Sequence, residues 1–345
     1  MLGKSKYIIQ MVIVLAALAS CRKDPLPPIL IDINPSNPFN PCAESYSDFS
    51  ISDYEKELKE LVNPDALTSP TGFIEPNCST FYSEPVFNPS NPYEIIYAKK
   101  EVYSAGDEEL WKFNFCNGQS TFIANNFSHF VDWSINGWLL YTATNNQIFR
   151  IKEDGDSITQ ITNQSGINNT GKWSPNGSKF FMINGSLKIL NFSGNELYST
   201  SGLPVFNAVD WIDEERLLIV QDGVFKSFNF QTGEKIQIQP TPVCHVCTKI
   251  FDRKHFLVFI GEENGEGGSD WMKFDLNTGV ITTLQELAPS YQYGKGDVSP
   301  ESGKLIMPLV RSRWKDSVNN EIYYRRDLIL LDENGAGERI ITFPN

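Results

Sequence analysis

Six copies of one pattern, 38 to 48 residues apart, limit what this chain can fold into more than any other feature. Each copy opens with a bulky apolar residue, a turn and an apolar strand. The pattern is clear in Phe87-Asn88-Pro89-Ser90, Trp133-Ser134-Ile135-Asn136-Gly137, Trp173-Ser174-Pro175-Asn176-Gly177 and Trp211-Ile212-Asp213-Glu214. It returns in worn form as Ile250-Phe251-Asp252-Arg253 and Val298-Ser299-Pro300-Glu301. A second signature follows each, an apolar strand ending in a glycine turn at Gly118, Gly155, Gly194, Gly233, Gly279 and Gly335. A fixed period of this length marks a stack of like supersecondary units. The third copy predicts strands around Lys172–Trp173, Phe180–Ile183, Leu187–Phe192 and Leu197–Ser199, joined by the Asn-Gly and Ser-Gly turns that hairpins favour.

A lone four-stranded sheet leaves two faces to bury, and radial stacking of six covers them. The sequence therefore predicts an all-β, six-bladed β-propeller of four-stranded blades over residues 81–345, with the signature Trp residues filling the space between blades. At these residues the chain resembles the TolB-type propeller repeat, which is WD-repeat-like and has Trp-Ser-Pro-Asp-Gly before an apolar strand as its hallmark. Trp173-Ser174-Pro175-Asn176-Gly177 matches it with Asn for Asp, and the Trp133 segment is a looser copy. The resemblance implies an architecture and not an activity, because the fold hosts many functions.

The N-terminus predicts the compartment. Lys4 and Lys6 precede an apolar run from Tyr7 to Leu18 broken by Gln10, and then comes Leu18-Ala19-Ser20-Cys21. The run is short for a hydrocarbon core of about 30 Å and ends in small residues, as a cleaved leader does. Leu18-Ala19-Ser20-Cys21 resembles the lipobox of bacterial lipoproteins. That resemblance implies removal of residues 1–20 and covalent lipid on Cys21, and Arg22 in place of Asp favours the outer membrane of a Gram-negative envelope. Loss of Lys4 and Lys6 takes the formal charge from −13 to −15, an acidic balance that argues against nucleic acid and anionic lipid as partners. Residues 21–80 read as a Pro/Asn-rich spacer with one short helix, capped by Ser52 and Glu55 and carrying Tyr54, Leu58 and Leu61 on one face.

Within the repeats three sets of residues invite chemistry. The residue before the signature position is Asp132, Lys172, Asp210, Lys249 and Asp297 in copies two to six. Converging on a central channel, Asp132, Asp210 and Asp297 suit a cation such as Ca²⁺, but the alternation with Lys favours a ring of ion pairs between blades. Cys244-His245-Val246-Cys247 is open to a local disulfide or free thiols, a bridge to another cysteine, or metal or redox work. With Cys21 lipidated, Cys42, Cys78, Cys116, Cys244 and Cys247 remain, an odd number in an oxidising compartment. The three histidines, His129, His245 and His255, fall in no hydrolase motif, and Glu108-Glu109, Glu214-Glu215 and Glu262-Glu263 read as solvated charge.

The copies swell between their second and third strands, by Lys99–Glu109 in the first, Gly261–Asp270 in the fifth and Arg311–Arg326 in the sixth. These are equivalent hairpins of consecutive blades, so they share one face, and loops on a rigid scaffold carry binding residues. The sixth offers Arg311, Arg313, Trp314, Tyr323, Tyr324, Arg325 and Arg326, residue types that dominate interface energetics. The expected function is a membrane-anchored, non-catalytic module that binds an envelope protein or glycan in the periplasm or at the surface, with no cofactor beyond its lipid. Two alternatives stand beside it. One is a propeller lyase or hydrolase acting on polysaccharide with a channel cation. The other is a redox or metal-handling lipoprotein using Cys244 and Cys247.

Overall fold

The structure, a computed structural model, describes residues 46–48, 80–101, 107–163, 169–200, 208–221, 224–238, 244–251, 256–261, 270–275, 278–285, 296–299, 304–315, 322–332, 339–341 and 343. Among them every regular element is a β-strand. The helix expected at Ser52–Leu61 lies outside the described residues. What stands near it is β1 (Tyr46–Asp48), a strand the sequence did not announce.

The repeat then unrolls in order. The first copy gives β2 (Thr80–Asn88), β3 (Asn91–Glu101), β4 (Glu108–Asn114) and the first half of β5 (Gln119–Trp133). The second uses the rest of β5 with β6 (Trp138–Ala143), β7 (Ile148–Lys152) and β8 (Thr159–Gln160). The third is β9 (Asn169–Trp173), β10 (Lys179–Ile183), β11 (Leu187–Asn191) and β12 (Glu196–Ser199). The fourth is β13 (Ala208–Trp211), β14 (Arg216–Gln221), β15 (Val224–Asn229) and β16 (Lys235–Gln237). The fifth is β17 (Cys244–Phe251), β18 (Phe256–Gly261), β19 (Asp270–Asp275) and β20 (Ile281–Gln285). The sixth is β21 (Asp297–Val298), β22 (Lys304–Lys315), β23 (Ile322–Asp332) and β24 (Arg339–Ile341), with β1 added antiparallel on β24. All neighbours within a sheet are antiparallel, and β5 passes from the outer strand of one sheet to the first strand of the next. The first strands touch in succession, β2 to β5, β9, β13, β17 and β21, and β21 touches β2 again. The sheets therefore close radially into a β-propeller.

The second strands show why. WLLYTA, KFFMI and RLLIVQ are nearly unbroken apolar runs, the pattern of strands buried on both faces. Alternate residues serve different layers, because successive side chains leave a strand on opposite faces. Phe180 and Met182 join Leu140 and Ile148 of the preceding sheet around Trp173. Phe181 instead joins Leu217, Ile219 and Trp211 of the following sheet, and Leu218 joins Met272 and Phe274 of the one after. Trp133, Trp173 and Trp211 have no exposed surface. Outer strands lose this burden, and β8, β12 and β16 are largely exposed.

Two glycine requirements follow. The turn glycines Gly118, Gly155, Gly194, Gly233 and Gly279 hold φ between 64° and 89°, where a side chain is strained. Gly171 answers to packing, since a Cβ there would lie 2.5 Å from Leu140 Cδ2 of the preceding sheet.

The seam between the sixth and first copies has its own filling. Phe343 stacks on Tyr97 at 4.2 Å and packs against Tyr82 at 4.4 Å and Phe113 at 5.0 Å between ring centres. Burial holds the Tyr97 phenol well above its ordinary value, although its hydroxyl bonds Ser120 Oγ. Burial likewise pushes Tyr141 up to about 12.

Trp173→Ala is expected to cost about 3–5 kcal/mol, the range for truncating a buried aromatic, as read by denaturant unfolding. A loss below about 1 kcal/mol would show that the ring does not fill the layer between sheets. The tyrosines give a second test. A phenol with a raised folded pKa stabilises the fold below its unfolded value near 10 and loses that contribution as pH rises through the folded one. Stability should fall between pH 10 and about 12, and Tyr141→Phe should remove part of the fall. An unchanged slope in that variant would refute the assignment.

Candidate functional site

Antiparallel connection gives the propeller two ends. The signature and glycine turns share one, the turn end. The hairpins between second and third strands share the other, the hairpin end, with the crossovers to the next sheet.

The channel aspartates sit on first strands, and Asp132, Asp210 and Asp297 are 5, 2 and 3% exposed. Asp210 Oδ2 pairs with Lys172 Nζ of the preceding sheet at 3.2 Å, an ion pair between blades as expected. Asp132 and Asp297 have a further role. Asp132 Oδ2 accepts from the peptide N–H of Trp173 at 2.7 Å, and Asp297 Oδ2 from that of Phe87 at 2.7 Å, each reaching into the next sheet. Where the preceding copy carries Lys172 in place of Asp, the N–H of Trp211 turns to its own Asp210 at 2.8 Å. The Lys/Asp alternation thus has a backbone meaning: the signature residue's N–H finds a carboxylate either way. Lys249 lies on β17. No group of three or more His, Cys, Asp or Glu among the described residues is placed to hold a metal ion.

The turn end is tied from sheet to sheet. Ser90 Oγ donates to the carbonyl of Ile135 at 3.2 Å, and Asn136 Nδ2 to that of Asn176 at 2.9 Å. The N–H of Asn176 reaches Glu214 Oε1 at 2.7 Å, and Lys179 Nζ pairs with Glu214 Oε2 at 2.9 Å. Glu214, which reads as solvated charge in the sequence, is a cross-link. Glu109 likewise accepts from Trp111 Nε1 at 2.9 Å.

The cysteines are dispersed. Cys244 and Cys247 both lie on β17, opposite Gly261 and Phe259, with register shifts beside each. Cys116 is a half-buried free thiol on a glycine turn. Cys21, Cys42 and Cys78 lie outside the described residues.

The hairpin end is where the sheets differ. Second and third strands of the second to fourth copies run five or six residues. In the sixth copy β22 and β23 run twelve and eleven, paired as far as Lys315 and Ile322. Arg311 to Arg326 is the hairpin insertion expected between the second and third strands, and its described residues continue the ladder as a two-stranded arm. Alternating Trp, Tyr and Ile suit the extended backbone and let the ladder continue. Along the arm Trp314 stands opposite Tyr323, Arg313 opposite Tyr324, Ser312 opposite Arg325 and Val310 opposite Arg326, with a shift at Arg311. In the first copy β3 runs eleven residues and pairs Thr80 with Glu101. β2 touches both β22 and β23, so the first and sixth copies are neighbours. Most of the fifth copy's swelling lies outside the described residues.

Nearby, the crossover within β5 holds Asn126 and Phe130 at φ of 59° and 56°, and Ser128 Oγ lies 2.8 Å from His129 Nδ1. A bulky residue at positive φ is costly and persists only where its surroundings enforce it. Nothing in the repeat pattern announces it.

Comparison with known proteins bears on the fold. A TolB-type protein from Agrobacterium tumefaciens matches at 15% identity and a TM-score of 0.53, over 69% of this chain and 90% of that one. The propeller domain of the trilobed protease from Pyrococcus furiosus matches at 11% and 0.48, over 77% and 99%. An acylaminoacyl peptidase from Pyrococcus horikoshii matches at 11% and 0.48, over 76% and 52%. No protein-family profile matches the chain, and no curated protein does. In fold the chain is a TolB-like β-propeller. The expectation that it is not an enzyme is corrected: propellers of this kind stand among the matches as parts of peptidases, so the fold gives no ground for excluding catalysis.

Asp132→Ala leaves a buried N–H at Trp173 without its carboxylate, which costs about 1–3 kcal/mol. The expected result is that loss in denaturant unfolding together with faster amide exchange at Trp173. Exchange at Trp173 unchanged in the variant would show that the carboxylate does not hold the two sheets together.

Proposed function

We propose that the chain is a lipid-anchored, six-bladed propeller serving as an interaction module of the bacterial envelope, with the hairpin end as its recognition face. On this reading residues 1–20 are a cleaved leader, Cys21 carries lipid, 21–80 are the spacer and 81–345 the propeller. The outer membrane is the expected site, with the domain in the periplasm or at the surface and an envelope protein or glycan as partner. The TolB-like fold agrees with an envelope setting and a protein-binding role.

One observation carries the proposal: the described turns of the first to fourth copies bond from sheet to sheet, while strands of the neighbouring first and sixth copies are extended at the hairpin end. Turns bonded to their neighbours serve cohesion. Long strands beyond the sheet body add nothing to the layers between sheets, and Arg, Trp and Tyr concentrate there.

Photo-crosslinking in the native envelope tests it. A crosslinker at Lys100, on the extension of the first copy, should give discrete adducts, and one at the exposed turn residues Asn117 or Asn195 should give none. Adducts from the turn end alone, or from neither, would overturn the reading.

A further inference from the structure

The arm of the sixth copy presents a local charge opposite to that of the chain. From Arg311 to Arg326 the sequence holds Arg311, Arg313, Lys315, Arg325 and Arg326 against Asp316 and Glu321, five cations less two acids for a formal charge of +3, in a chain of formal charge −13. The remaining positions include Trp314, Tyr323 and Tyr324. Cationic residues among Trp and Tyr suit the headgroup layer of a membrane, where aromatic rings settle at the boundary and Lys and Arg meet anionic lipid.

Strand direction says which way this arm points. β24 runs toward the hairpin end, with Arg339 opposite Leu330 and Ile340 opposite Ile329. β1 is antiparallel to it, and Tyr46 stands opposite Ile341. The chain therefore arrives at Tyr46 from the hairpin end of this sheet, the end from which the arm projects. Beyond Leu328, which lies beside the last residue of β24, the arm continues six residues to Ile322. That is about 20 Å at 3.3 Å per residue. The strand that follows the spacer in the sequence, β1, thus begins at the hairpin end of this sheet.

We propose that the β22–β23 arm is a membrane-contacting finger that takes anionic lipid headgroups, a second hold beside the lipid on Cys21. The inference rests on the anchored reading above and deepens it: the arm meets the bilayer, and the extension of the neighbouring first copy meets the partner. Net charge set anionic lipid aside in the sequence, but exposed charges further apart than about 10 Å are screened at 0.1 M salt. The charge near the surface decides, and at the arm it is positive.

The test reconstitutes the full lipidated protein on vesicles of phosphatidylcholine alone or mixed with phosphatidylglycerol, and follows flotation and amide exchange. Flotation is expected on both. Amides of 309–315 and 322–327 should exchange about tenfold more slowly on the anionic vesicles, with the difference lost near 1 M salt. The combined variant Arg311→Gln, Arg313→Gln, Arg325→Gln, Arg326→Gln should still float, unfold at the same denaturant midpoint and show no such difference. Failure to float on phosphatidylcholine overturns the anchored reading and this inference with it. Flotation with arm exchange equal on both lipids overturns the inference alone and leaves the anchor standing. Protection that appears only when an envelope protein is added also overturns it, in favour of a protein ligand.

Discussion

A buried carboxylate that accepts from the backbone of the next sheet is the contact on which the ring depends. Each sheet has two apolar faces, and dispersion between faces is indifferent to small slides along the strands. The bonds from Asp132 to the N–H of Trp173 and from Asp297 to the N–H of Phe87, 2.7 Å each, are directional and fix that slide. They place the signature ring of one sheet over its layer, so that Trp173 meets Leu140 and Ile148 in one register. Gly171 belongs to the same arrangement, because only a missing Cβ lets β9 approach Leu140 so closely. A buried anion with strong donors is stable where a bare one is not. The fourth copy reaches the same end by a different route, with Lys172 neutralising Asp210 and Asp210 capping its own strand.

Cohesion at one end leaves the other free to vary. Ser90, Asn136, Asn176 and Glu214 bind turn to turn, and any lengthening there would break a bond to the neighbour. At the hairpin end the second and third strands lengthen with no such loss, since added residues extend a ladder that already exists. The first and sixth copies use that freedom, and β2 brings the two copies together. Diversity of surface and rigidity of frame are thus divided along the strand axis.

The frame was legible in the sequence for a physical reason. Short apolar runs between turns, Gly at turns that need positive φ, and a bulky apolar residue at the start of each copy, Trp in three of the six, are local signals, and the third copy's strands follow from them. The rest depends on partners distant in the chain. Asp132 is read from sequence as a metal or ion-pair candidate because side chains are visible there and the peptide N–H it serves is not. Glu214 looks solvated until Lys179 and Asn176 stand beside it. The arm reads as a hairpin insertion, but the length of its ladder does not show in five cations and two acids over sixteen positions; the aromatics among them suit a continued strand. β1, three residues long, exists only because β24 offers an edge. Phe343 finds Tyr97 across the whole length of the ring.

The seam between the sixth and first copies gathers several of these long-range contacts. Asp297 caps Phe87, Phe343 fills the aromatic cluster of the first copy, and β1 widens the sixth sheet by a strand. The pairing of N-terminal β1 with C-terminal β24 joins the two ends of the described chain in one sheet, and the other contacts thicken the place where the ring closes. On the anchored reading the same sheet receives the tether, so force along the spacer enters at β1. It acts on β24 in shear, along strands whose hydrogen bonds must break together, and passes to the first copy through Asp297 and Phe343. Closure and anchorage then call for the same reinforcement. The extra strand and the longest ladder lie in the copy whose repeat signature is among the most worn.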